Sequence, residues 1–256
     1  MDSHIAIIGM SFCGSTVLSY VLGALPGIAT IGESHWINSE PLPGADPAMC
    51  GHCGADCEVL SSKFLRSMRT SKENWYPRLA DRLGTRVLVS ADKNFDLIVK
   101  YDPLYKLDAI FCFRSPINSF HSYRRSANLA PSDGHLLELS EYLSYWSWFY
   151  ENAMQVAVQG KRLFVNWELF SSAPESNLLQ LCNLLGTEFD RSALAYWQKI
   201  QHAVGGNFSP WERLKISGEQ SLHIHPIRPD VADAAELACL ERHPALLTYQ
   251  KLMEHA

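Results

Sequence analysis

The segment from Ile5 to Gly23, IAIIGMSFCGSTVLSYVLG, constrains the possible fold more than any other part of the chain. It begins with a short, continuous apolar run, which is typical of parallel strands that are buried on both faces. A turn with two glycines follows, and apolar residues then recur at helical spacing until Pro26 and Gly27 end the pattern. A strand, a glycine loop and a helix in this order predict the first unit of an α/β fold.

Apolar, strand-like runs alternate with helical patterns along most of the chain. Further strands are predicted at 28–32, 86–90, 109–113 and 162–167, and helices at 15–25, 58–69, 72–83, 116–127, 136–159, 174–185, 190–203 and 231–254. We find no internal repeat and no low-complexity linker. The pattern therefore predicts one α/β domain, 1–256, with a central, mostly parallel sheet flanked by helices.

The bulk composition excludes several classes of protein. The 256 residues carry a net charge of −5, which disfavours a chain-wide nucleic-acid surface. No apolar run is long enough for a membrane span, and the N-terminal MDSHIAIIG lacks the charged and apolar regions of a signal peptide. We expect a cytoplasmic protein.

In sheets of this kind, ligands bind beyond the carboxyl ends of the strands. The loops after Ile8, Ile31 and Phe113 are therefore expected to share one crevice. In the first loop, GMSFCGST, the N–H groups at the start of the helix form an anion site together with the helix dipole. A triphosphate-binding loop would carry lysine where Ser15 stands, so a ligand with a shorter anionic end is favoured. The alternative is a glycine turn that merely begins a helix.

The loop after Phe113 reads RSPINSFHSYRR. Arg114 leaves the strand end, and Ser122 follows eight residues later on the next helix. A guanidinium fork and a hydroxyl near a helix start are suited to a second phosphate group. The alternative is an exposed arginine beside a helix cap.

Together the two loops resemble the sulfotransferase family, whose donor is 3′-phosphoadenosine 5′-phosphosulfate (PAPS). FCGSTVL (12–18) resembles the first family motif, and Arg114, Pro116 and Ser122 match the second. LPGIATIGE (25–33), SADKN (90–94) and NWELFSSAPESNLLQLCNLLG (166–186) are similar to further motifs in the family order. The resemblance implies a P-loop NTPase-like topology, with a nucleotide-binding core at about 5–186 and a closing segment at about 205–256. Residues implied to contact the donor are Phe12, Cys13, Gly14, Ser15, Thr16, Val17, Arg114, Ser122 and Trp167.

The resemblance also implies catalytic roles. Glu33, at the end of the GE motif, is the expected general base, and His35 is the second choice or lines the acceptor pocket. Lys93 is expected to offset charge on the bridging oxygen, because Phe12 stands where the family carries a cation. No metal is required for the transfer, and the product nucleotide is 3′,5′-adenosine bisphosphate (PAP). The expected acceptor is a hydroxyl of a saccharide, lipid, natural product or tyrosine.

Two other functions stay open at this point. A nucleotide-binding scaffold of the same fold, with weak or no catalysis, is favoured by Phe12. An ATP-dependent small-molecule kinase is disfavoured by the missing lysine. The aromatic helix YLSYWSWFY (142–150) either packs in the core or lines the acceptor site.

The cysteines divide into two groups. Cys50, Cys53 and Cys57 cluster in CGHCGADC, which fits a zinc site completed by His52 or His35, a redox-labile pair, or a local staple in a loop without a catalytic role. The other four lie singly in apolar contexts and are expected to be buried small hydrophobic residues: Cys13, Cys112, Cys182 and Cys239.

Overall fold

The computed structural model describes residues 1–38, 49–71, 74–92, 107–129, 137–156, 158–205, 224 and 232–256. Lys93 lies outside the described residues, as does most of the segment 205–230.

A five-stranded parallel sheet forms the centre of the molecule. Its strands are β1 (Ser3–Ile8), β2 (Ile28–Gly32), β3 (Val87–Ser90), β4 (Leu107–Phe113) and β5 (Arg162–Asn166). The spatial order is β2-β3-β1-β4-β5, and each neighbouring pair is parallel. Every residue of β4 is buried, including Asp108, and the apolar run AIFCF (109–113) predicts this for most of the strand. The predicted α/β fold with a parallel sheet is confirmed.

Nine α-helices surround the sheet in the described part of the chain. They are α1 (Ser15–Gly23), α2 (Ser62–Arg69), α3 (Trp75–Leu83), α4 (Pro116–Leu129), α5 (Leu139–Gln155), α6 (Trp167–Ser172), α7 (Pro174–Leu185), α8 (Ala234–Glu241) and α9 (Ala245–Met253). Two short 3-10 helices cover Ser34–Asn38 and Arg191–Gln198. None of the helices in these ranges has the length and apolar character that a membrane span requires.

Two predicted helices differ from the structure. The predicted helix 190–203 is a 3-10 helix, in which Ala195 leaves helical geometry, and it ends at Gln198. Val204 then pairs with Gly32 at the end of β2. The predicted helix 231–254 is divided into α8 and α9 at Pro244, because proline cannot continue the hydrogen-bonding pattern of the preceding helix.

Apolar packing occurs on both faces of the sheet. One large cluster joins β1, α1, α7 and the second 3-10 helix, and another joins α4, α5 and α9 around Trp146 and Tyr150. The connection after β1 leads towards β2, whereas the connection after β4 leads towards β5 on the other side. The carboxyl ends of β1 and β4 therefore border the crevice at which α/β sheets bind ligands.

Candidate functional site

The loop between β1 and α1 lies at this crevice and has an unusual backbone. Phe12 has a φ of 69° and Gly14 a φ of 100°, so both adopt the left-handed region. Gly14 is the N-cap residue of α1. It has no side chain that could accept a hydrogen bond from the first-turn N–H groups. First-turn N–H groups lack partners within an α-helix, so those of Ser15, Thr16 and Val17 can donate to an anion at the helix start.

Close packing holds this loop in place from two sides. A β-carbon on Gly9 would come within 2.5 Å of the Cys112 carbonyl oxygen and of the Cys13 sulfur. A β-carbon on Gly14 would overlap the Trp167 indole. Cys13 is fully buried, and Trp167 is buried and stacks on Phe170 with 5.5 Å between ring centroids. The indole of Trp167 thus supports the loop from the core side.

Arg114 connects the loop after β1 to the helix after β4. Its Nη1 donates to the Phe12 carbonyl oxygen at 3.0 Å and to the Ser122 hydroxyl at 3.2 Å. Its side chain is buried at the carboxyl end of β4. The structure therefore brings together Arg114, Ser122 and the first loop, the groups that the sequence analysis assigns to the donor.

Glu168, which the sequence analysis did not assign, fixes the start of α4. Its carboxylate accepts from the Ser115 N–H at 3.0 Å, from the Ser115 hydroxyl at 3.1 Å and from the Asn118 side-chain amide. Glu168 follows β5, so it joins the carboxyl end of β5 to that of β4. These bonds set the backbone direction immediately after Arg114.

A second polar group lies at the end of β2. Glu33 is buried, and its Oε2 accepts from Nε1 of Trp36 at 3.1 Å and lies 3.7 Å from Nε2 of His35. The backbone N–H of Glu33 donates to the carbonyl oxygen of Val204 at 2.8 Å. The end of β2 and its backbone bond to Val204 therefore jointly fix the position of Glu33.

Asp92 orients the His35 ring, and this carboxylate was also missed by the sequence analysis. It is fully buried and accepts from the Ser34 hydroxyl at 2.6 Å, the His35 N–H at 2.9 Å and the Tyr76 hydroxyl at 3.4 Å. Its Oδ1 also lies 3.1 Å from Nδ1 of His35. Because a carboxylate only accepts, Nδ1 carries the proton, and Nε2 faces Glu33.

A cavity of about 210 Å³ adjoins the first loop. Met10, Ser11 and Phe12 form one wall, and aromatic side chains from α4 and α5 form the other: Tyr123, Tyr142, Tyr145 and Phe149. Burial raises the pKa of Tyr142 well above its ordinary value, so its hydroxyl stays protonated and available to Ser119 at 2.7 Å. The aromatic helix thus packs Trp146 and Tyr150 in the core and also lines this cavity.

The three clustered cysteines meet a histidine from a distant part of the chain. The side chains of Cys50, Cys53, Cys57 and His202 bring their sulfur and nitrogen atoms within 4.8 Å of one another. Neither His35 nor His52 belongs to this group; the His52 ring packs edge-on against Tyr20. Burial lowers the pKa of His202, which favours the neutral ring. These four residues could hold a metal ion.

Two solved sulfotransferase domains are similar to this chain. The sulfotransferase domain from the curacin biosynthetic pathway aligns with a TM-score of 0.62 at 16% identity, over 94% of this chain and 97% of that domain. The sulfotransferase domain from the Synechococcus PCC 7002 olefin synthase aligns with a TM-score of 0.63 at 18% identity, over 96% and 94%. No family model and no curated protein matches the chain. The similarity extends over nearly all of both domains, and the chain therefore has the sulfotransferase fold.

Proposed function

We propose that this chain is a sulfotransferase that moves the sulfuryl group of PAPS to a hydroxyl of a saccharide, lipid, natural product or tyrosine. The observation that carries the proposal is the position of Arg114, whose guanidinium bonds to both Phe12 and Ser122. A buried arginine beside an open helix start gives the crevice two separate anion sites. PAPS carries an anionic group at each end of its ribose, which matches two sites.

The first loop would take the 5′ end of the donor. Backbone N–H groups of residues 14–17 and the hydroxyls of Ser15 and Thr16 supply donors without a charged side chain. Arg114 and Ser122 would take the 3′-phosphate. Glu168 would keep Arg114 in place, because it bonds to both polar groups of Ser115.

In the transfer step, the acceptor oxygen forms a bond to sulfur while the bond between sulfur and the 5′-phosphate oxygen breaks. Glu33 accepts the proton of the acceptor hydroxyl, and the products are a sulfate ester and PAP. The first-loop N–H groups stabilise the negative charge that develops on the leaving phosphate. Lys93 is proposed to add a positive charge there, in place of the cation that Phe12 replaces.

His35 and Asp92 extend this proton path. Asp92 holds the His35 ring so that Nε2 lies 3.7 Å from the Glu33 carboxylate. A proton accepted by Glu33 can pass to Nε2 of His35 with a small movement of either side chain. The His35 side chain is 25% exposed, so it connects the buried carboxylate with solvent.

A nucleotide-binding protein without transfer activity is the second candidate, and Phe12 is the observation that favours it. The Phe12 residue lines an aromatic cavity, and its carbonyl oxygen accepts from Arg114. In this arrangement the loop binds anions, but position 12 contributes no positive charge to the leaving group.

Thermal unfolding with two ligands tests the proposal. PAP at 100 times its Kd should stabilise the chain by about 2.7 kcal/mol, whereas ATP with Mg²⁺ should stabilise it less. Stabilisation by ATP alone would contradict the proposal and favour a kinase. Binding of PAP without sulfate transfer from PAPS to any of a broad panel of hydroxyl acceptors would favour the second candidate.

A further inference from the structure

Three sulfur atoms surround one imidazole nitrogen at the end of the sheet. Nδ1 of His202 lies 3.9 Å from Sγ of Cys50, 3.5 Å from Sγ of Cys53 and 3.3 Å from Sγ of Cys57. None of these cysteines forms a disulfide in the structure. Two of the four residues, Cys50 and Cys57, are buried, whereas Cys53 is exposed.

Hydrogen bonding does not explain this arrangement. A neutral imidazole nitrogen accepts with a single lone pair, so it can accept well from one thiol but not from three. With zinc bonds of about 2.3 Å to sulfur and about 2.0 Å to nitrogen, a tetrahedral site places a sulfur ligand about 3.5 Å from a nitrogen ligand. The three measured sulfur–nitrogen distances, 3.3–3.9 Å, lie around this value.

We propose that Cys50, Cys53, Cys57 and His202 bind one Zn²⁺ ion in a structural site. Three thiolates and one imidazole form one of the usual ligand sets of structural zinc, and four protein ligands leave no open position for catalysis. The spacing of the cysteines, C-x2-C-x3-C, is local, whereas His202 comes from a segment far along the chain. The exposed Cys53 gives the metal an entry path from solvent.

The backbone of the cysteine loop is shaped for this site. Gly54 has a φ of 71°, and its N–H donates to the Cys50 carbonyl oxygen at 2.8 Å, which turns the chain back so that Cys50 and Cys53 face the same point. The Leu60 N–H lies 3.1 Å from Sγ of Cys57 and donates to it. A backbone N–H directed at a sulfur is the outer-shell contact that stabilises a metal-bound thiolate.

The site joins the cysteine loop to the segment 201–205, and the two also meet through the pairing of Cys50 with Val204 and through apolar packing. The Gly51 N–H donates to the Ala203 carbonyl oxygen at 2.8 Å, and the Val204 N–H donates to the Ile31 carbonyl oxygen at 2.7 Å. The Val204 carbonyl oxygen in turn accepts from the Glu33 N–H. Zinc would therefore fix the segment 201–205 against β2, next to Glu33.

The zinc site would also position the Glu33 carboxylate, an inference that rests on the proposed function. A β-carbon on Gly205 would overlap the Trp36 ring, so Gly205 and Trp36 are in close contact, and Trp36 donates to the Glu33 carboxylate. Loss of zinc should loosen this contact and the Val204–Glu33 bond. Arg114 and Ser122 lie on other elements, at the carboxyl end of β4 and on α4, so binding of PAP should persist.

Metal analysis of the full chain tests the site directly. Wild-type protein purified under reducing conditions should contain about one zinc per chain, and cobalt substitution should produce thiolate charge-transfer and tetrahedral d–d absorption. Cys53→Ser and His202→Ala should lose the metal, whereas Cys239→Ser and His52→Ala should retain it. A metal-free wild-type chain that does not take up zinc or cobalt would overturn the proposal, and so would a Cys50–Cys53 disulfide in freshly prepared protein.

Removal of zinc from the wild-type chain with a chelator gives a measurement that needs no variant. Hydrogen exchange at the N–H groups of Glu33, Gly51 and Val204 should become faster, whereas exchange in β4 should not change. Unchanged exchange at all three groups would overturn the link to β2. If zinc is bound and exchange responds but no acceptor is sulfated, the zinc site stands and the proposed function fails.

Discussion

Nη1 of Arg114 lies 3.2 Å from the hydroxyl oxygen of Ser122, and the same nitrogen donates to the Phe12 carbonyl oxygen. One buried side chain thus links the loop after β1 to the helix after β4. The two loops belong to neighbouring strands, so the parallel order of the sheet creates this link. The two loops are therefore held at a fixed separation, which the proposed donor would span.

Replacement of Arg114 by lysine should weaken PAP binding about 10–100-fold. Lysine keeps the charge but cannot present two parallel N–H donors to a phosphate, and a charged hydrogen bond contributes about 1.5–3 kcal/mol. Titration calorimetry of PAP measures the change. Arg124→Lys is the matched control, because Arg124 is exposed on α4, the helix that also carries Ser122. Equal affinities in all three proteins would place the phosphate elsewhere.

Replacement of Glu33 by glutamine should lower turnover about 10²–10⁴-fold, the usual contribution of a positioned general base. The amide keeps the shape of the side chain and an oxygen that accepts from Trp36. PAP affinity should therefore stay within a factor of about two of the wild-type value. Single-turnover sulfate transfer from PAPS measures the chemical step, with Glu254→Gln as an exposed control. If the Glu33 variant kept full turnover, Glu33 would not be the general base, and His35 would be the next candidate.

Replacement of Asp92 by asparagine should destabilise the chain by about 1–3 kcal/mol. Asp92 is fully buried and accepts from Ser34, His35 and Tyr76, and an amide would turn an N–H donor towards some of these donors. Chemical denaturation measures the loss, and Asp81→Asn at an exposed position of α3 should change stability by less than about 0.5 kcal/mol. Similar stabilities of the two variants would show that the Asp92 network contributes little.

The sequence predicts the parts of the fold that depend on local patterns of residues. The strands are short apolar runs between turn residues, and all five occur at or within two residues of their predicted positions. The helix predicted at 190–203 fails because its later part bonds to β2 and the cysteine loop. Those bonds depend on segments that are far apart in sequence, which periodicity does not detect.

The candidate site also combines contacts that follow from local sequence with contacts that only the fold creates. Arg114 and Ser122 are eight residues apart across a strand end and a helix start, so their proximity follows from local structure. Asp92 and His35 are 57 residues apart, and Cys57 and His202 are 145 apart. The sequence therefore indicates a cysteine cluster that fits a zinc site, a redox-labile pair or a loop staple, but only the fold brings His202, instead of His35 or His52, beside it.

Replacement of Gly14 by alanine tests whether Trp167 supports the anion-binding loop. Gly14 has a φ of 100°, and a β-carbon there would overlap the indole, so strain and overpacking should together destabilise the chain by about 2–4 kcal/mol. Gly27→Ala is the matched control, because Gly27 also has a positive φ, of 71°, but no atom lies within 4 Å of its added β-carbon. That control should show only the backbone cost, about 1–2 kcal/mol.

A double variant separates the two contributions at Gly14. Trp167→Leu removes the ring that the new β-carbon would overlap, so Gly14→Ala should cost less in that background than in the wild-type chain. A double-mutant cycle from urea denaturation should give a coupling energy of about 0.5–3 kcal/mol between the two positions. PAP affinity of each variant shows whether the loop keeps its shape. If Gly14→Ala and Gly27→Ala were equally destabilising and the cycle gave no coupling, Trp167 would not press on the loop, and the anion site would depend on backbone conformation alone.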